Sequence, residues 1–111
     1  MRGPSKLEKK FALLWRAANG PKLVTEFKFC PTRRWRADFA SIEKKVLIEI
    51  EGGIFGGGRH NRGLGFSKDC EKYLWAETNN WHVLRLTYPQ LTLETIEQIV
   101  RFVNSLEVVK P

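Results

Sequence analysis

An α/β fold, with a mixed sheet of about four strands flanked by helices, is predicted by three features of this 111-residue sequence. Apolar residues recur at helical spacing near both ends, the middle of the chain has the short alternating runs of strands, and a helical segment separates the third strand from the fourth. That helix implies a parallel crossover between strands three and four. The short turn between strands two and three implies an antiparallel hairpin.

The first helix opens at Ser5-Lys6-Leu7-Glu8, a capping box in which Ser5 and Glu8 satisfy each other's free backbone N–H groups. Leu7, Phe11, Leu14, Trp15 and Ala18 form its core face, and Gly20-Pro21 ends it. Lys6, Lys9, Lys10 and Arg16 lie elsewhere on its surface, either solvated or facing a phosphate. Leu23 to Phe29 alternates as a strand until Pro31 breaks it. Arg36 to Ala40 is the second strand, Ser41 to Lys44 the turn, and Lys45 to Gly52 the third strand. Seven glycines between Gly52 and Gly65 predict a loop that is mobile or closely approached by other groups. Ser67 is the expected cap of a second helix, with Asp69 in its first turn and an end near Thr78. Trp81 to Thr87 then places His82, Leu84 and Leu86 on one face and Trp81, Val83 and Arg85 on the other. Apolar groups on both faces predict a largely buried strand, a structural role for His82, and an acid partner or a sheet edge for Arg85. Thr92 to Ser105 closes the chain as a helix with Leu93, Ile96, Ile99, Val100 and Val103 inward.

Length is that of one domain over residues 1–111, and 42% hydrophobic residues argue against wholesale disorder. Nineteen Lys and Arg against twelve Asp and Glu leave +7, which points to a polyanionic partner. No apolar run is long enough for a membrane, so nucleic acid is the expected polyanion. The amino-terminal M-R-G-P-S-K lacks a signal-peptide apolar segment, which predicts the cytoplasm. Cys30 and Cys70 stand far apart, as reduced structural thiols rather than a zinc site.

The chemistry concentrates between Arg36 and Gly53, where Asp38, Glu49 and Glu51 interrupt apolar runs. Strand alternation puts Leu47, Glu49 and Glu51 on one face and Val46, Ile48 and Ile50 on the other. If the turn pairs Ala40 with a residue near Leu47, Asp38 falls opposite Glu49, with Cβ atoms roughly 4.5–5.5 Å apart. Carboxylates that close ionise together only with a cation, and such oxygen ligands suit Mg²⁺ or Mn²⁺. The plain alternative is a solvated sheet face whose acids pair with nearby lysines.

Cations flank these acids. Arg33, Arg34 and Arg36 surround Trp35 immediately before Asp38, as phosphate-binding forks or as a basic loop anchored by the tryptophan. Arg59, His60 and Arg62 follow the acidic strand, His60 being a candidate accessory group. Lys68 and Lys72 share a face of the second helix, either solvated or pointing back at the carboxylates.

Taken in order, R-R-W-R-A-D-F-A, I-E-I-E-G-G, G-G-R-H-x-x-G, D-C-E-K-Y and W-x-V-L-R-L-T resemble the PD-(D/E)XK nuclease superfamily. More narrowly they resemble small phage and prophage nucleases close to very-short-patch-repair-like endonucleases and phage Holliday-junction resolvases. The similarity runs from Ser5 to about Thr87. It implies a restriction-endonuclease-like core and Mg²⁺- or Mn²⁺-dependent hydrolysis of DNA phosphodiesters. Asp38 and Glu49 match the metal-binding acids of the motif. Glu51 stands where the superfamily has lysine, which implies a further ligand or a base, with Lys72 as the replacement cation. In related resolvases an acid of the first helix completes the metal site, and Glu8 holds that place in competition with its capping role. The expected catalytic set is therefore Asp38, Glu49, Glu51, Lys72 and His60, with Glu8 added to the three acids as metal ligands. Arg33, Arg34, Arg36, Arg59, Arg62 and Lys68 are the expected DNA contacts. The implied substrate is branched DNA, a four-way junction cut by a homodimer in the cytoplasm, that of the host if the protein is phage-encoded. A nicking, mismatch or restriction-type endonuclease and a non-catalytic DNA-binding module are the alternatives.

Overall fold

A computed structural model describes residues 3–52 and 62–109. The elements are α1 (Lys6–Ala17), β1 (Val24–Lys28), β2 (Arg36–Ser41), β3 (Val46–Ile50), α2 (Arg62–Thr78), β4 (His82–Leu86) and α3 (Leu93–Ser105). The sheet order is β1-β2-β3-β4, antiparallel across the first two pairs and parallel between β3 and β4. The chain is thus the mixed α/β fold that its element order predicts.

Helices cover both faces of the sheet. On one face Phe11 and Trp15 of α1 and Ile96, Ile99, Val100 and Val103 of α3 pack on Phe39, Val46, Ile48, Ile50 and Leu86. On the other, Ala76 of α2 joins Phe29, Cys30, Ala37, Ala40, Leu47 and Trp81 in a core extended by Trp35, Trp75 and Val83. Every residue of β3 is therefore buried, Glu49 included. This rules out a solvated face for Glu49.

Local chemistry sets the ends. The Ser5–Glu8 capping box forms in both directions, and Thr92 caps α3 by accepting from Thr95 N–H. After α1 the chain passes so close to Trp15 that a Cβ at Gly20 would lie 2.3 Å from the indole, whose Nε1 donates to the Pro21 carbonyl at 2.7 Å. Between β2 and β3 the turn closes through Lys45, at φ 55°, whose N–H donates to the Ile42 carbonyl. Ala40 pairs with Leu47, the arrangement supposed above.

Two expectations need correction. The second helix begins at Arg62, so Ser67 lies within it and does not cap it. Gly63 and Gly65 read as loop, yet both lie inside α2, each at a propensity cost of about 1 kcal/mol. β4 is an edge strand with only Leu86 buried; His82 is exposed and meets Phe102 edge-on, with ring centroids 5.3 Å apart. Among the described residues no helix is long and apolar enough to cross a membrane.

Candidate functional site

The site starts from a fault shared by β1 and β2. Residues two apart on a strand share a face, yet Ala37 lies in the α2-side core and Phe39 in the α1/α3-side core. On β1 the same shift separates Val24 from Phe27, three residues apart but both on the α2 side. The ladder pairs Thr25 with Phe39 and Phe27 with Ala37. Between these pairs lie Glu26, held at φ 49°, and Asp38. The interruption frees both carboxyl groups from the ordinary pleat.

Asp38 turns toward β3, where its Oδ2 accepts a 2.7 Å hydrogen bond from Ile50 N–H, beyond the last β2–β3 ladder pair. Glu8 arrives from the first turn of α1, buried, with Oε1 accepting from Ser5 N–H at 3.0 Å. One carboxylate oxygen from each of Glu8, Glu26 and Asp38 lies within 4.8 Å of the others. The cap therefore does not remove Glu8 from the acidic group. Arg36 Nη1 approaches Glu26 to 3.2 Å from the side. Burial, first, and the negative charges of Glu49 and Glu8 raise the Asp38 pKa to about 6, against the pull of the Ile50 N–H bond.

The two acids of β3 and its exit are held differently. Lys72 Nζ reaches both Glu49 oxygens, at 3.2 and 2.9 Å, and the Arg36 carbonyl at 3.0 Å. Tyr73 donates its hydroxyl to Glu49 Oε1 at 3.3 Å. Burial pushes the Glu49 carboxyl up, opposed by Lys72. Glu51 accepts from Arg85 Nε at 2.8 Å; Arg85 also lies 3.7 Å from Asp69 and over the Tyr73 ring. Burial and the nearby Glu49 and Glu51 charges keep the Tyr73 phenol protonated.

The remaining sequence-selected residues divide by place. Arg33 ion-pairs with Glu71 of α2 and stacks over Trp35. Arg34 and Lys68 line the same cleft as these groups. Arg59 and His60 fall outside the described residues, and of Arg62 only the backbone, as the start of α2, is described. Unbroken alternation along its strand gives Glu26 no link to Asp38 in the sequence. The signal lies in the apolar spacing: Val24 to Phe27 and Ala37 to Ala40 step by three, not two, around the paired acids.

No protein-family model, curated protein or solved structure matches the chain.

Proposed function

We propose that this protein is a divalent-metal-dependent endonuclease that hydrolyses DNA phosphodiesters, resembling PD-(D/E)XK enzymes and acting on branched DNA as a Holliday-junction resolvase. The observation that supports it most is the convergence of Glu8, Glu26 and Asp38 at a strand interruption, beside a lysine fixed against Glu49. Three hard oxygen donors, one of them with its pKa raised to about 6 by burial and by the Glu49 and Glu8 charges, form a set that fits Mg²⁺ or Mn²⁺. Asp38, Glu8 and Glu26 would hold the ion. Glu49 is the next acid to them, and its charge is felt at Asp38. Glu51 is drawn to Arg85 and fits a supporting role better than that of ligand or base. A bound divalent ion lowers the pKa of a coordinated water and offsets charge on a phosphate.

The chain's own residues supply orientation and charge. Ile50 N–H fixes the Asp38 carboxyl, and Ser5 N–H fixes that of Glu8. Lys72 sets an ammonium beside Glu49, where it offsets charge on a phosphate entering from the Arg36 side. Arg33, Arg34, Arg36 and Lys68 bind the sugar–phosphate backbone without reading sequence. A homodimer would bring two such sites to one junction.

One observation favours a second reading, a DNA-binding module without catalysis: Glu49 and Glu51 are already neutralised within the protein by Lys72 and Arg85. Incubating a labelled four-way junction and a matched linear duplex with Mg²⁺ or Mn²⁺ separates the two. The nuclease reading expects metal-dependent cuts that Asp38→Ala abolishes. Cleavage of neither DNA by the wild-type protein, with binding untouched by Asp38→Ala, supports the module. Equal cutting of junction and duplex removes the resolvase assignment and keeps the nuclease.

A further inference from the structure

Between the β1–β2 loop and α2 lies an open cleft of about 390 Å³, lined by Arg33, Arg34, Trp35, Lys68 and Glu71. Three of its five residues are cationic and one is an aromatic. Its single acid, Glu71, is spent on Arg33, whose guanidinium lies 4.7 Å from the centre of the Trp35 ring. Arg34 and Lys68 are exposed and make no ion pair among the described residues. Glu71 directly precedes Lys72, and Arg36, whose carbonyl Lys72 holds, follows the loop. The cleft is therefore joined through α2 and the loop to the Lys72–Glu49 pair.

We infer that this cleft is a subsite for the nucleic-acid backbone in which Glu71 stands in for a phosphate, so that an incoming strand must displace it from Arg33. The inference rests on the proposed function for its substrate class and goes further by assigning Glu71 a restraining role. A carboxylate and a phosphodiester offer the guanidinium fork the same pair of oxygen acceptors. Trp35 keeps the fork in place during the exchange, because stacking on the ring does not use the N–H donors. Arg34 and Lys68, with no acid to give up, meet the strand first. Glu71 thereby weakens binding of any DNA that does not fill the cleft, which gives selectivity by an internal competitor.

The test is metal-free binding of a fluorescein-labelled DNA duplex, followed by anisotropy in EDTA across a series of salt concentrations. Glu71→Gln frees one cation, so affinity at low salt rises about fivefold and the slope of log K against log salt steepens by about 0.9. Glu77→Gln removes the same charge from an exposed position of α2 outside the cleft and should leave the slope unchanged. Arg33→Ala combined with Glu71→Gln should lose the gain. Equal slopes for Glu71→Gln and Glu77→Gln, a gain that survives Arg33→Ala, or no DNA binding by the wild-type chain each overturns the inference. Because no cleavage is read, a protein that binds in this way without cutting DNA would sink the nuclease reading alone. One that cuts DNA while Glu71→Gln changes nothing would sink the cleft alone.

Discussion

Two groups of carboxylates, each in part buried, are compensated in opposite ways. Glu49 and Glu51 each have a cation of their own, Lys72 and Arg85, drawn from the helix and strand that follow. Glu8, Glu26 and Asp38 are gathered from three elements with Arg36 beside Glu26, and Asp38 keeps its proton to about pH 6. The first arrangement is complete within the chain. The second would be completed by a cation from outside, as proposed above, so the proposed function rests on the convergent group and its support on the paired one.

Removing a cation from the paired group is the most disruptive way to break this contrast. Lys72→Ala leaves Glu49, 9% exposed, without its ammonium and should cost about 3 kcal/mol in urea denaturation. Adding Glu49→Gln to that variant should recover part of the loss, and a cost near zero for the single substitution would mean that the group is not self-contained. Next in size is the response to metal. Saturating Mn²⁺ at pH 7.5 should stabilise the wild type by about 2–3 kcal/mol in thermal melts, and Asp38→Asn, which keeps an acceptor for Ile50 N–H, should abolish the shift.

A smaller effect appears with pH and no metal. The folded Asp38 value of about 6 lies above its ordinary 3.8, so between these values the folded chain keeps a proton that the unfolded chain has released. Stability should therefore fall as pH rises from about 4 to 6 and change little above that. Because Asp38 is only partly buried, the size is about 1 kcal/mol after screening. Asp38→Asn should flatten this slope, and a slope of opposite sign would show that the convergent acids are already compensated. Arg85→Met is the smallest, below about 1 kcal/mol, because that ion pair is largely exposed.

Much of the fold is legible in the sequence because its signals are local. The Ser5–Glu8 box, the helical stripe from Leu7 to Trp15, the β2–β3 hairpin and the parallel β3–β4 pair follow from spacing and turn length. The start of α2 does not, since Gly63 and Gly65 resist helix by propensity yet lie inside it. At the candidate site, the strand placement of Asp38 and Glu49 and the helical placement of Lys72 are periodic facts. The meeting of Glu26 with Glu8 and Asp38 depends on a slipped pleat, and no residue type announces that slip. Exposure of β4 was likewise illegible, because two apolar faces look the same on an edge strand as on a central one.

The backbone at Glu26 has a further consequence. A φ of 49° is comfortable for glycine and costs a long side chain about 1 kcal/mol, and this strain sits inside a strand, where no turn demands it. Glycine there would relax the chain but leave the acidic group one member short. Position 26 is thus a point of local frustration, where the sequence that would fold most easily and the one that best concentrates negative charge are different sequences.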